Sequence, residues 1–137
     1  MSRATRVSIL ITIALAAVIA VLTLMPPNQV EVPSGSDKTY HFLAFAALAL
    51  PLAAVRPRWS VALFLLYSAF GGAIEIIQPF VGRSRELADL VADMAGIAIG
   101  MALGFLAHLL FQRLGGWGAS TGDESRAGTS SSTRHRG

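Results

Sequence analysis

Four apolar stretches, each close to the length of a bilayer crossing, fill most of the first 111 residues of this 137-residue chain. The first, Val7 to Met25, carries no charge. At a rise of 1.5 Å per residue it spans roughly 28 Å, the thickness of a hydrocarbon core. Arg3 and Arg6 precede it, as in a secretory signal peptide, but the run is long for one and leads into "TLMPPN" with no A-x-A cleavage site. It reads as an uncleaved first span. The second runs from Tyr40 to Val55 and contains Pro51, which predicts a kink. The third runs from Trp59, an aromatic suited to the membrane interface, to about Phe80, and the fourth from Leu87 to Phe111. The expected fold is all-α: an integral membrane bundle of four transmembrane helices over residues 1–113, with spans at about 7–25, 40–55, 59–80 and 87–111.

The connections fit this division. "PPNQVEVPSGSDK" is polar and punctuated by Pro and Gly. Within it Ser36 or Asp37 suits a helix N-cap, which accepts from free backbone N–H groups. "RPR", residues 56–58, predicts a tight turn. Residues 114–137 are rich in Gly, Ser, Thr and Arg; they hold too little apolar surface to fold and are expected to form a disordered cytoplasmic tail.

Composition narrows the function classes. Charged residues make up only 14% of the chain, against about 25% in a soluble domain. The absence of cysteine excludes disulfides, thiolate catalysis and Cys-based metal sites. Three scattered histidines, His41, His108 and His135, argue against a His-only metal cluster, and neither a metal nor a cofactor is expected. The net charge of +3 resides largely in the terminal segments, with no basic stripe and no interleaved aromatics, so no nucleic-acid partner is expected.

Membrane topology accounts for that basic excess. With four spans both termini share a side, which holds Arg3, Arg6, Arg56, Arg58, Arg113, Arg126, Arg134 and Arg136, while the other side holds Lys38, Arg83 and Arg85. Counted only near the spans the bias falls to five against three. Lys and Arg accumulate on the cytoplasmic side, so both termini are expected there, with the loops before span two and after span three facing outward.

Polar residues then gather at one depth. Span two enters from outside with Asp37, Lys38 and His41, span three arrives outside with Glu75 and Gln78, and span four leaves with Asp89 and Asp93. Ser68, Gly71, Glu75 and Gln78 share one face of span three at helical spacing. Asp89 and Asp93 continue into Gly96, Gly100 and Gly104, a doubled G-x-x-x-G that lets two membrane helices approach closely. Spans three and four are expected to pack along that face, bringing Glu75 near Asp93 with Arg83 or Arg85 between them. A charge at mid-membrane costs about 2.5–3.5 kcal/mol on insertion scales, so these acids are expected to face the bundle interior.

These residues resemble the VanZ-like family of small multi-span bacterial membrane proteins, named for a protein associated with teicoplanin resistance. The family's "DK..H" element matches "SDKTYHFLAF" (Asp37, Lys38, His41). Its "E..Q....R" matches "EIIQPFVGR" (Glu75, Gln78, Arg83), and its "D...N..G...G" matches "DLVADMAGIAIG" (Asp89, Asp93, Gly96, Gly100), with Asp93 standing where the family often has Asn. The resemblance covers residues 36 to about 105. It implies an envelope-related role in the bacterial cytoplasmic membrane; glycopeptide resistance belongs to a few members and is not carried over.

Three functions compete on these residues. The first is binding or handling of an anionic envelope lipid, such as a lipid-linked precursor. Asp37, Lys38, Gln78, Arg83, Arg85 and Asp89 would form its binding site, since arginine holds phosphate and carboxylate through paired hydrogen bonds. The second is a membrane enzyme modifying such a lipid, with His41, Glu75 and Asp93 as acid and base groups. No G-x-S-x-G, H-E-x-x-H or P-loop motif accompanies them. The third is a structural or assembly partner whose polar cluster only locks the bundle. His108, Gln112 and Arg113 read as a solvated helix end at the inner surface.

Overall fold

A computed structural model describes residues 1–26 and 37–119, the last four as backbone only. Four α-helices carry the fold: α1 (Arg3–Leu24), α2 (Asp37–Val55), α3 (Ser60–Ile77) and α4 (Leu87–Ala119). Two short 3-10 turns, Pro57–Trp59 and Gln78–Val81, precede and follow α3. Among the described residues all four helical segments are long and apolar enough to cross a membrane, and none forms a strand. The chain is a multi-pass membrane protein.

The helix boundaries differ from those read off the apolar runs. α1 begins at Arg3, one turn before Val7, because the Ser2 hydroxyl accepts from the Thr5 N–H at 3.2 Å and caps the helix. α2 begins at Asp37, which therefore lies in the first turn and is not the residue before it; Ser36, the other cap candidate, lies outside the described residues. α2 continues through Pro51 to Val55. The tight turn at "RPR" is the first 3-10 turn, closed by the Trp59 N–H donating to Arg56 O at 2.9 Å. α4 runs past Phe111 and past the expected boundary at 113 to Ala119, the last described residue. A helix already formed gains a bond with each added residue, and no proline interrupts residues 112–119. The disorder expected for the tail concerns residues 120–137, which lie outside the described residues.

The bundle turns its large apolar side chains outward. Leu10, Ile13, Val61, Leu65, Leu66, Val91, Phe111 and many others are exposed, as the acyl chains of a bilayer require. The buried core is narrow: Ile19, Phe45, Leu48, Ala49, Leu52, Leu63, Tyr67, Ile74 and Ile97. Phe45 packs against Phe70 with ring centroids 5.8 Å apart.

The most extensive packing is between α2 and α4. This corrects the expected pairing of spans three and four along the glycine face. A Cβ placed on Gly96 or Gly100 would run into the backbone carbonyl of Phe42 or Ala46, and one on Gly104 would stand 2.7 Å from Leu50 O. Phe42, Ala46 and Leu50 recur every four residues, so the glycine groove of α4 receives one continuous ridge of α2 backbone. Glycine is needed here for closeness, since any side chain would force the helices apart. α3 instead brings Gly71 against Asp93.

Candidate functional site

Three helix ends meet at one end of the bundle. α2 contributes Asp37, Lys38 and His41 from its first turns, α3 and the following turn contribute Glu75 and Gln78, and α4 contributes Asp89 and Asp93. His41, Glu75, Gln78, Asp89 and Asp93 are all buried, Asp93 completely. They are neither in lipid nor in water, and each lies one to two turns from a helix terminus.

At the centre, His41 Nδ1 lies 2.9 Å from Asp93 Oδ1, with both side chains almost fully enclosed. With Asp93 ionised, the carboxylate only accepts, and the imidazole donates to it from Nδ1. Beneath them Phe45, one turn further along α2, forms an apolar floor beside Gly71. A Cβ on Gly71 would stand 2.6 Å from Asp93 Oδ2, so only glycine leaves room for the carboxylate.

Glu75 plays a different part. Its Oε2 accepts from the backbone N–H of Glu86 at 3.0 Å. That N–H stands at the start of α4, where helical N–H groups lack internal partners. A carboxylate from α3 thus closes the end of α4, with the sign the helix dipole favours. Gly82, at φ 80°, supplies the left-handed residue that ends the second 3-10 turn and reverses the chain toward α4. Gln78 Nε2 donates to Thr23 O at 3.5 Å, tying α1 to the same end.

The basic residues form the rim, each facing an acid. Lys38 Nζ donates to Glu86 Oε2 at 2.9 Å and lies 3.8 Å from Asp89 Oδ1. Arg83 Nη2 lies 3.7 Å from Asp37 Oδ1. The hydrogen bond from Lys38 holds the Glu86 carboxyl below its ordinary range. Counting these partners, five carboxyl groups (Asp37, Glu75, Glu86, Asp89, Asp93) meet two basic side chains (Lys38, Arg83).

The site is short of hydrogen-bond donors. Glu75 Oε1, Gln78 Oε1, Asp89 Oδ1 and Asp93 Oδ2 are buried and accept no hydrogen bond. All four are acceptors on one end of the bundle. A buried acceptor without a donor costs about 1–3 kcal/mol, so a donor supplied to any of the four would be stabilising. Ligand-capable atoms of Asp37, His41 and Asp89 also lie within 4.8 Å of one another, the arrangement among the described residues that suits a cation.

The expected convergence of His41, Glu75, Gln78, Asp89 and Asp93, rimmed by Asp37, Lys38 and Arg83, is present. Two details are corrected. Asp93 pairs with His41, not across an arginine with Glu75, because α4 docks on α2. Arg83 faces Asp37, and Arg85 is exposed with no ion pair among the described residues, so neither enters between Glu75 and Asp93. Sequence reasoning missed Glu86 and gave Gly71 no role beyond its stripe. Glu86 signalled itself only as a third charge in "RSRE"; Gly71 stood on the same helical face as Glu75.

The opposite end of the bundle is tied by ordinary polar contacts. Arg56 Nε donates to Thr5 Oγ1 at 3.0 Å and stacks over Trp59 at 5.7 Å. His108 Nδ1 donates to Ala54 O at 2.8 Å, leaving Nε2 to accept from Gln112. His108 thus fastens α4 to α2 as well as sitting near a solvated end.

Compared with known proteins, the chain matches no family model, no curated protein and no solved structure.

Proposed function

We propose that this end of the bundle binds and handles an anionic envelope lipid, or a lipid-linked precursor, at the outer face of a bacterial cytoplasmic membrane. The resemblance to the VanZ-like family points the same way. Both termini lie in the cytoplasm on this reading, which rests on the excess of arginine on their side. The observation that carries the proposal is the cluster of buried, donor-poor acceptors beneath a basic rim. Lys38 and Arg83, with Arg85 on the same loop, stand at head-group depth to meet phosphate or carboxylate. Below them Glu75 Oε1, Gln78 Oε1 and Asp93 Oδ2 are buried acceptors without a donor, which hydroxyl or ammonium groups of a head group would satisfy on entering.

The test is lipid occupancy. Protein purified in mild detergent from its native host should carry anionic lipid, and Arg83→Ala should lose most of it. Equal occupancy in wild type and Arg83→Ala would remove the proposal.

A second reading, a membrane enzyme acting on such a lipid, is favoured by the His41–Asp93 pair. A buried carboxylate that orients an imidazole is the arrangement a general base requires. It predicts that envelope-lipid extracts are converted by the reconstituted protein, and that Glu75→Gln and His41→Gln abolish conversion while the fold persists. Absence of any conversion by folded wild type would leave only the binding reading.

A further inference from the structure

We infer that Asp37, His41 and Asp89 form a binding site for a divalent first-row cation of the Mn2+ or Zn2+ type. The site is new relative to the lipid reading and does not depend on it.

The donor set comes first. One imidazole and two carboxylates offer one nitrogen and at least two oxygens, a mixture that suits Mn2+ and Zn2+ better than the all-oxygen cations. A neutral imidazole with two carboxylates also balances a double positive charge. The ligand-capable atoms lie within 4.8 Å of one another. Atoms sharing an ion at about 2.0–2.2 Å stand roughly 3–4 Å apart, so closure needs shifts on the order of an ångström, within reach of carboxylate rotation.

Two further observations point to a cation. Asp89 is 2% exposed, and its Oδ1 is buried without a hydrogen bond. The nearest basic groups do not consume the ligand oxygens: Lys38 Nζ is 3.8 Å from Asp89 Oδ1, and Arg83 Nη2 is 3.7 Å from Asp37 Oδ1. Both separations exceed a hydrogen bond. Second, Asp93 holds His41 through Nδ1 at 2.9 Å. A carboxylate on one imidazole nitrogen is the usual outer partner of a metal-binding histidine, since it fixes the tautomer and leaves the other nitrogen for the metal. Asp93 is thus a positioning residue for this site.

The cation also answers the charge imbalance. Five carboxyl groups against two basic side chains would repel an anionic head group. One divalent ion offsets two of the three excess negative charges and leaves Lys38, Arg83 and Arg85 to act at the rim. This last consequence, unlike the site itself, rests on the lipid reading.

The experiment uses the full chain, stripped with EDTA, in phosphatidylcholine nanodiscs that contain no anionic lipid. Mn2+ binding is followed by electron paramagnetic resonance and Zn2+ binding by calorimetry. Wild type should take one ion per chain. Asp37→Asn, Asp89→Asn and His41→Gln should weaken binding at least tenfold, whereas His108→Gln should leave it unchanged. Lys38→Ala removes a competing ammonium and should tighten it. The Asp37 side chain is 40% exposed, so Asp37→Asn keeps the fold and decides the matter if the buried variants unfold. Folded wild type that takes no stoichiometric ion, or an Asp37→Asn protein that binds as tightly as wild type, overturns the site. Anionic-lipid occupancy that survives such a result leaves the lipid proposal standing, so the two fail separately.

Discussion

His41 and Asp93 stand 52 residues apart in the chain and 2.9 Å apart in the fold, and among the described residues no other ion pair joins two groups so completely hidden from solvent. The contact exists because three glycines of α4 allow α2 to approach at backbone distance. The site and the packing seam are one construction, and the variants below separate their parts.

Asp93→Ala removes one partner of the buried pair and should destabilise the protein by about 3–5 kcal/mol, since the remaining partner keeps its desolvation cost. Asp93→Asn keeps an acceptor for His41 Nδ1 and should lose well under half as much. Denaturant unfolding of the reconstituted protein, followed by circular dichroism, measures both. Equal losses would mean that the negative charge, and not the hydrogen bond, holds the pair together.

Gly71→Ala places a methyl group 2.6 Å from Asp93 Oδ2 and should cost about 1–3 kcal/mol through overpacking. Gly72→Ala is the control, because nothing lies within 4 Å of its Cβ position. Its stability should match wild type. Thermal melts of the two variants side by side would reveal whether adjacent glycines of one helix differ in this way.

At the α2–α4 seam, Gly100→Ala sets a Cβ against the backbone carbonyl of Ala46, which cannot rotate aside. It should lower stability more than Gly71→Ala does, where the obstacle is a side chain. Gly115→Ala meets nothing within 4 Å and should leave stability unchanged or slightly raised, alanine being the better helix former. A reversed order would show that the seam is not the tightest contact of the bundle.

The Lys38–Glu86 pair gives a pH dependence of known sign. The hydrogen bond from Lys38 lowers the Glu86 carboxyl from its ordinary value of 4.5. The stabilisation is therefore complete above that value and disappears as the pH falls through the lowered one. The pair is open to solvent, so the effect should be small and should fade in high salt. Glu86→Gln should abolish that part of an acid titration of stability; an unchanged profile would assign the acid dependence to other groups.

Much of this protein was fixed by the sequence acting locally. Apolar runs of bilayer length set the number of helices and their approximate places, because in lipid every backbone group must be satisfied within its own segment. The same topology put Asp37, Lys38, His41, Glu75, Gln78, Asp89 and Asp93 at one depth, and burial of His41, Glu75, Gln78, Asp89 and Asp93 follows from the cost of facing a polar or charged group to acyl chains. Helix ends were less legible, since they depend on caps such as Ser2 and Glu75 that composition does not reveal. Only the tertiary structure decided who pairs with whom. Helical periodicity shows that Asp93 and Gly96, Gly100 and Gly104 share a face, but it carries no information on which neighbour that face meets. The partner was selected by shape: α2 offers the backbone of Phe42, Ala46 and Leu50 as a ridge that fills the groove. That choice joins Asp93 to His41 and leaves Glu75 to close the end of α4.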